Sequence, residues 1–259
     1  MASLKVVTLN IWNYNEPWLD RRQLLAQELI ELSPDVIGFQ EIRDDQERNV
    51  DGLDQAAQFA QLIEGYDYIF QPAMHYPSEH PSCEGVAIFS RLPVRLHDYT
   101  KLSRTDDYDD HHQRVLLHAE LEGPGCVVDF YVTHFSLSSV SRKLQAQEVL
   151  EYVGKTAKGD LTIVAGDFND SPESATYALL TGEGGFEDLW VATQGEAEGG
   201  TWPSDDPVER IDYVFCRPEL RELPAGTRCE VTQLVTKAGP GGLMGTDHRG
   251  LMAHFELPG

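Results

Sequence analysis

The sequence predicts an α/β (α+β) fold in which helices cover two packed, mostly antiparallel sheets. Short apolar runs alternate with amphipathic helical stretches along the whole chain. Several runs also alternate apolar with polar residues, as in an antiparallel sheet that buries one face, and this argues against an all-parallel sheet. Because the chain has 259 residues and is 41% hydrophobic, it can bury one large core, and we expect a single domain over residues 1–259. We expect the residues up to about 121 and those from about 127 to supply one sheet each.

The elements of the N-terminal part are set by apolar spacing and by proline. Apolar residues at helical spacing predict a helix over residues 18–32, and the Ser33-Pro34 pair ends it because a residue before proline avoids the helical region. Similar reasoning predicts strands over residues 4–11, 35–41 and 66–70, a helix over 53–63, and a loop over 72–83.

The remaining elements are mostly strands. We expect strands over residues 85–90, 94–102, 113–121, 127–134, 161–167, 211–216, 229–235 and 250–257. Two helices are predicted, over residues 138–153 and 172–180, and Ser171 is placed to cap the second just before its proline. Residues 193–207 form a loop rich in glycine and aspartate.

The charge of the chain bears on its partners. There are 20 Lys+Arg and 43 Asp+Glu, which give a formal net charge of −23. A surface this acidic repels a phosphate backbone, so nucleic acid is a disfavoured partner. The net charge does not exclude a local basic cleft. No stretch has the ~20 consecutive apolar residues of a transmembrane segment, and no signal peptide is visible, so we expect a cytoplasmic protein. No feature indicates an obligate protein partner.

Polar side chains stand at the ends of the apolar strands. They are carboxylates, carboxamides and imidazoles: Asn10, Glu41, His134, Asp167, Asn169, Asp212, Asp247 and His248. Strand ends can present such groups to a cleft on a rigid scaffold. Oxygen ligands suit Mg²⁺, and Glu41 and Asn10 fit that role, whereas the four cysteines include no CxxC pair that would indicate zinc. The pattern predicts metal-assisted phosphoester hydrolysis, with His248 or Asp167 as base and His134 as proton donor or oxyanion stabiliser.

The same residues lie in motifs that resemble the endonuclease/exonuclease/phosphatase superfamily, which includes deoxyribonuclease I and neutral sphingomyelinases. The matching motifs occur in family order: TLNIWN, PDVIGFQEIR, EGVAIFSRLPV, DFYVTHFSLSS, VAGDFNDSP, RIDYVF and GTDHRGL. They run from residue 8 to residue 251 and so cover almost the whole chain. The resemblance implies a deoxyribonuclease I-like four-layer α/β/β/α sandwich.

The resemblance also implies a role for each matched residue. Glu41 matches the metal-binding glutamate, Asn10 the asparagine that assists metal and phosphate, and Asp247 a second metal contact in some members. Asp167 and Asn169 match the pair that orients the attacking water. Asp212 matches the partner of the last histidine, and His248 matches that histidine, acting as general base or transition-state stabiliser.

Three further residues complete the predicted site. His134 matches the histidine of the deoxyribonuclease I and sphingomyelinase side of the superfamily, and Glu84 aligns with the glutamate that pairs with it. Arg114 matches a phosphate-contacting arginine, with a structural ion pair as the equal alternative. The neighbouring segment 106–112, rich in aspartate and histidine, is interpreted as a solvated charged loop rather than a second metal site.

We therefore expect a Mg²⁺- or Mn²⁺-dependent phosphoester hydrolase. A small-molecule phosphodiester ranks first as substrate, because the sequence shows neither a basic cluster for DNA nor a strongly apolar membrane-facing hairpin. A nuclease and a sphingomyelinase-like lipid phosphodiesterase are the alternatives. A binding domain without catalysis ranks last, since no metal or base position is eroded.

Overall fold

The computed structural model describes residues 2–77, 79–105, 110–195, 199–217 and 228–257. Within these ranges the chain forms two six-stranded sheets. The first sheet has the strand order β11-β12-β1-β2-β4-β3. Its strands are β1 (Ala2–Asn10), β2 (Val36–Asp45), β3 (Asp67–Tyr76), β4 (Ser82–Ser90), β11 (Arg228–Gln233) and β12 (Leu251–Leu257).

The second sheet has the strand order β5-β6-β7-β8-β10-β9. Its strands are β5 (Val94–Leu102), β6 (Arg114–Glu122), β7 (Val127–His134), β8 (Leu161–Asp167), β9 (Glu187–Asp188) and β10 (Asp212–Cys216). One strand pair in each sheet is parallel, β1 with β2 and β7 with β8, and the other pairs are antiparallel. Each parallel pair is joined by a crossover helix, as a parallel connection requires.

Helices cover the outer face of each sheet. They are α1 (Trp18–Leu32), α2 (Gln55–Leu62), α3 (Ser139–Thr156) and α4 (Ala175–Ala178), which continues into a π-helical turn at Leu179–Glu183. The short helix α5 (Leu189–Gln194) instead packs Leu189 into the apolar cluster between the sheets. One apolar cluster joins α1 and α2 to the first sheet, and another joins α3 and α4 to the second. A third cluster lies between the two sheets, with Val6 and Ile88 from one and Phe130 and Val132 from the other. The predicted four-layer α/β/β/α sandwich is thus confirmed.

The assignment of one half of the chain to each sheet was wrong. Strands β5 and β6 precede residue 123 but belong to the second sheet, and β11 and β12 return from the C-terminal end to pair with β1. The antiparallel β1–β12 ladder brings the chain ends together, and it places the GTDHRG segment beside the end of β1. This exchange is what assembles one site from both ends of the sequence.

Two local predictions also differ from the structure. Most of the predicted loop over residues 72–83 is strand, because β3 runs on to Tyr76 and β4 begins at Ser82. Pro72 is tolerated there since β3 is an edge strand and its pairing shifts register between Pro72 and Met74. The short helix α4 is capped by Ser174, whose side chain accepts a hydrogen bond from the Tyr177 amide, and not by Ser171.

Candidate active site

Three adjacent strands of the second sheet bring the first functional side chains together. The register of β7, β8 and β10 sets His134 opposite Asp167 and Asp167 opposite Asp212. Asp167 and Asp212 are each 1% exposed, so the surrounding protein fixes their carboxylates. The ends of β1 and β2 in the facing sheet add Asn10 and Glu41, since the sheets pack face to face.

One carboxylate oxygen, Oδ2 of Asp167, is the point on which three side chains converge. Asn10 Nδ2 donates to it over 3.0 Å. The Nε2 atoms of His134 and His248 lie 3.5 Å and 3.7 Å from the same oxygen. Burial, followed by the neighbouring charge of Asp212, raises the pKa of Asp167 to about 7. This carboxyl group therefore sits where proton transfer near neutral pH is favourable.

Asp212 is the partner of His248, as the sequence predicts. Its Oδ2 lies 2.9 Å from His248 Nδ1. Burial alone would lower the pKa of His248, but the charges of Asp212 and Asp167 outweigh it and raise that pKa to about 10. In the protein without bound metal, the imidazole thus carries a proton at neutral pH. His248 Nε2 faces Asp167 Oδ2 at 3.7 Å.

Glu41 is presented by an irregularity in β2. The pairing of β2 with β4 shifts register between Phe39 and Ile42, and Glu41 has a φ of +60°. Its two carboxylate oxygens accept hydrogen bonds from Asn10 Nδ2 at 3.1 Å and Asn13 Nδ2 at 2.9 Å. A residue with a side chain rarely adopts this backbone conformation, so the bulge serves to aim the carboxylate.

Asn10 makes contacts that differ from those of a metal ligand. Its Oδ1 accepts a hydrogen bond from the Trp12 amide at 3.0 Å, and its Nδ2 donates to both Glu41 and Asp167. The Oδ1 atom accepts this one backbone hydrogen bond and keeps a second lone pair for another partner. The structure shows Asn10 as a bridge that orients two carboxylates.

The charges of the site fit a divalent cation. The pKa of Asp247 is raised by its burial and also by the charge of Glu41, so these carboxylates repel one another. Burial and the Glu41 charge likewise raise the pKa of Glu84 to about 7. Hard oxygen ligands crowded in this way are suited to Mg²⁺ or Mn²⁺. Among the described residues, Asp167, Asp212 and His248 also form a group whose ligand atoms lie within 4.8 Å of one another and could hold a metal ion.

Asn169 lies beside this group with its backbone in a left-handed conformation, at a φ of +51°. Its amide donates to Asp167 Oδ1 at 2.9 Å, and its Nδ2 donates to the Phe135 carbonyl, also at 2.9 Å. The residue thereby ties the end of β8 to the turn after β7. The predicted place of Asn169 next to Asp167 is what the structure shows.

His134 has a different partner from the predicted one. Arg114 Nη1 lies 2.9 Å from His134 Nδ1, whereas Glu84 has no hydrogen bond to this ring in the described part of the chain. Arg114 Nη2 donates to Asp110 Oδ2 at 3.0 Å, so the ion-pair alternative for Arg114 is realised. Glu84 lines a small cavity together with Arg114 and His134.

The charged-loop interpretation fails for Asp110. This residue is 2% exposed and burial would raise its pKa, but the Arg114 charge and several hydrogen bonds hold that pKa at about 2. Asp106, Asp107 and Asp109 lie outside the described residues. Asp110 lies four residues before Arg114, and this spacing was a signal of the ion pair that the charged-loop interpretation did not use.

Arg21 is a site residue that the sequence reasoning missed. It is completely buried in α1, and its guanidinium donates to five backbone carbonyls, those of Ile11, Trp12, Asn13, Asn15 and Gly245. These carbonyls belong to the loop after β1 and to the segment before Asp247. Arg21 thus fixes the two loops that carry Asn13 and Asp247. The available signal was its position at helical spacing between the buried Trp18 and Leu25.

In the described ranges, no helix combines the length and the apolar character that crossing a membrane requires.

The chain is similar to known proteins over nearly its whole length. The chain is 27% identical over 310 residues to a Caenorhabditis elegans protein provisionally named a neutral sphingomyelinase, covering 98% of this chain and 67% of that protein. The mannosyl-6-phosphatase Bt3783 of Bacteroides thetaiotaomicron has the same fold at a TM-score of 0.74 and 18% identity, with 98% and 100% of the two chains covered. D. rerio TDP2, solved with a single-strand DNA product, also aligns at a TM-score of 0.74, with 20% identity and 99% and 100% coverage.

The family model named Endonuclease/Exonuclease/phosphatase family matches residues 7–248, a range that holds every residue of the site described above. The chain therefore belongs to the endonuclease/exonuclease/phosphatase family and is a hydrolase of phosphoester bonds.

Proposed function

We propose that this enzyme hydrolyses small-molecule phosphodiesters with Mg²⁺ or Mn²⁺ as its cofactor. The observation that supports the proposal best is the convergence of Asn10, His134 and His248 on Asp167 Oδ2, with distances of 3.0, 3.5 and 3.7 Å. These donors come from separate parts of the chain and enclose one acceptor. Such a preorganised group can hold an attacking water and the phosphate oxygens that gain charge.

Glu41 and Asp247 are the residues we assign to the metal. Their mutual repulsion is relieved by a cation, and the Asn10 and Asn13 amides hold the Glu41 carboxylate in place. When bound, the cation supplies charge neutralisation at the phosphate. Asn10, which the sequence comparison linked to the metal, is assigned instead to orienting Glu41 and Asp167.

The protein groups handle the proton of the attacking water. Because His248 already carries a proton at neutral pH, we assign the proton-accepting role to Asp167, whose pKa is raised to about 7, with the imidazolium of His248 3.7 Å away as its partner in proton transfer. Asp212 keeps the imidazole oriented through the 2.9 Å contact with Nδ1. Asn169 fixes the Asp167 carboxylate from its other oxygen.

The charge distribution supports a small substrate. Beside the site, Arg21 donates to backbone carbonyls, and Arg114 contacts His134 and Asp110. Neither guanidinium is offered to the backbone of a long polyanion, which is normally gripped by clustered, accessible cations. The TDP2 complex with DNA and the sphingomyelinase name of the C. elegans relative keep a nuclease and a lipid phosphodiesterase as alternatives.

A substrate panel tests the proposal. The purified protein is assayed with Mg²⁺ and with Mn²⁺ on bis(p-nitrophenyl) phosphate, inositol phosphates, sphingomyelin in vesicles, RNA, and single- and double-stranded DNA. We expect the highest kcat/KM on a small diester and loss of activity with EDTA. A higher kcat/KM on DNA or on sphingomyelin would assign the corresponding alternative and refute the small-diester proposal.

Alanine variants test the residue roles. Glu41→Ala, Asp167→Ala and His248→Ala should each lower hydrolysis by about 10²- to 10⁴-fold, because each removes a metal-binding or proton-transfer group. Glu151→Ala, at an exposed position on α3, is the matched control and should keep full activity. Near wild-type rates in two of the three site variants, with the fold intact by circular dichroism, would contradict the assignment.

A further inference from the structure

The two nitrogens of His134 are in different surroundings. Nδ1 lies 2.9 Å from Arg114 Nη1, and Nε2 lies 3.5 Å from Asp167 Oδ2. A guanidinium can only donate hydrogen bonds, so Nδ1 must be the acceptor in this contact and carries no proton. The ring proton of the neutral imidazole is then on Nε2, the nitrogen that faces the site.

Arg114 is itself held in place. Its Nη2 donates to Asp110 Oδ2 at 3.0 Å, and the two side chains are 6% and 1% exposed. Asp110 also accepts the backbone amides of Leu137 and His112, each at 2.9 Å. Because Leu137 lies three residues after His134, the carboxylate connects the start of β6 to the turn that follows β7.

We propose that Asp110 and Arg114 are a positioning pair that fixes His134 as a neutral hydrogen-bond donor, with its Nε2 proton directed at the phosphate of the substrate. The inference rests on the proposed function for the identity of the acceptor. It deepens that function by assigning the ring of His134 to stabilising charge on the phosphate and not to giving up a proton as an imidazolium. In this role Arg114 acts through His134 and Asp110 acts through Arg114.

The contacts argue against the other role for Arg114, direct binding of the phosphate. Both terminal nitrogens are engaged inside the protein, and the residue is 5% exposed. The cavity that it lines with Glu84 and His134 has a volume of about 10 Å³, which holds about one water and is too small for a phosphate group. These contacts favour action of Arg114 through His134 over direct contact with a phosphate.

Kinetics separate the two roles. Asp110→Asn removes the anchor without touching the substrate, and we expect kcat to fall about 10- to 100-fold with KM changed less than twofold, as for other supporting partners of site histidines. Arg114→Met should lower kcat at least as much, and Arg114→Lys should restore part of the loss because it keeps one donor for Nδ1. Asp188→Asn is the matched control, since it breaks a buried pair with Arg210 at 2.6 Å that contacts no histidine. We expect its kcat to stay within threefold of wild type.

The ring itself gives a readout that does not need activity. Nitrogen-15 NMR of the Mg²⁺-loaded protein, with the His134 signals identified by their loss in His134→Gln, should show an unprotonated Nδ1 and a protonated Nε2. In Asp110→Asn the Nδ1 signal should move toward that of an imidazole exchanging between its two neutral forms. If the wild-type enzyme hydrolysed no phosphoester, the proposed function would be refuted. The NMR spectrum would still decide whether Arg114 and Asp110 fix the protonation of the His134 ring.

Two results would overturn the positioning role. One is a protonated Nδ1 in the wild-type spectrum. The other is a rise in KM at unchanged kcat in Arg114→Met, with Asp110→Asn behaving as wild type, which would make Arg114 a direct phosphate ligand. If Arg114→Met does not fold, the spectrum of the wild type and the kinetics of Arg114→Lys decide the question.

Discussion

Replacing Arg21 by lysine probes how the site is held together. Lysine keeps a positive charge beside Asp247 and Glu41, the two carboxylates whose charges do most to raise the pKa of Arg21. It cannot keep the geometry, since the arginine makes six hydrogen bonds to five buried or half-buried carbonyls. An ammonium group has three donors, so at least two carbonyls lose their partner.

The magnitude follows from those two carbonyls. A buried acceptor left unpaired costs about 1–3 kcal/mol, so Arg21→Lys should lower the free energy of unfolding by about 2–6 kcal/mol. The carbonyls belong to Ile11, Trp12, Asn13, Asn15 and Gly245, which flank Asn13 and Asp247, so Mn²⁺ affinity should also fall about 10- to 100-fold. The loss of affinity is expected from a looser carboxylate geometry and not from a change of charge.

Urea unfolding and Mn²⁺ titration measure the two effects. Arg95→Lys is the matched control, because the same exchange at a side chain 44% exposed, with surface partners Glu120 and Glu122, should cost less than about 1 kcal/mol. If Arg21→Lys were no more destabilising than Arg95→Lys, the carbonyl contacts would not carry the stability assigned to them. Unchanged Mn²⁺ affinity in a destabilised variant would refute the link between Arg21 and the metal site.

Three further changes have expected outcomes. Asp212→Asn removes the charge that does most to raise the pKa of His248, so that pKa should fall by NMR titration, and kcat should drop about 10²- to 10⁴-fold. Gly166→Ala should lower the free energy of unfolding by about 3 kcal/mol or prevent folding, since its Cβ would lie 2.1 Å from a backbone oxygen of β7. The control is Gly154→Ala, in open space on α3, which should raise the free energy of unfolding by up to about 1 kcal/mol in the same urea assay. The pKa of Asp110 is depressed to about 2 in the folded state against ~3.9 in the unfolded state, so its contribution to stability is full above about pH 4 and is lost as the pH falls toward 2. The destabilisation that Asp110→Asn causes, measured by urea unfolding, should therefore be smaller at pH 3 than at pH 6. A destabilisation that did not change with pH would contradict the ion pair.

Local pattern predicted the buried elements well. The bounds of α1, β7 and β8 agree with the apolar spacing, because each of these elements packs one face or both into the core, and the bounds of β5 also agree although most of that strand is exposed. The extension of β3 through Pro72 was not predictable from spacing, since it depends on that strand lying at a sheet edge. The assignment of strands to sheets also failed, because pairing between β1 and β12 is decided by packing between distant parts of the chain.

The site likewise contains residues that the sequence predicted and residues that it did not. Asp167, Asp212 and His248 follow from strand ends and from family motifs, and the structure brings them into contact. The partners that act through other residues were misassigned or missed. Glu84 was expected on His134, where the structure has Arg114, and the sequence analysis did not single out Arg21. Such partners are set by the course of loops after β1 and before β6, and loop geometry has no periodic signal in a sequence.

The acidity of the chain takes on a more specific meaning at the site. Burial first, and then the charge of a neighbouring carboxylate, raises the pKa values of Glu84, Asp167 and Asp247, so several acidic groups are held close together in a buried place. Without a cation such a cluster destabilises the fold, whereas a bound cation is attracted by all of these charges and relieves their repulsion. A phosphodiester carries a single negative charge, so a bound divalent cation is sufficient to attract it. A long polyanion would meet the rest of the net charge of −23 as well, and this favours the small diester that we propose as the substrate.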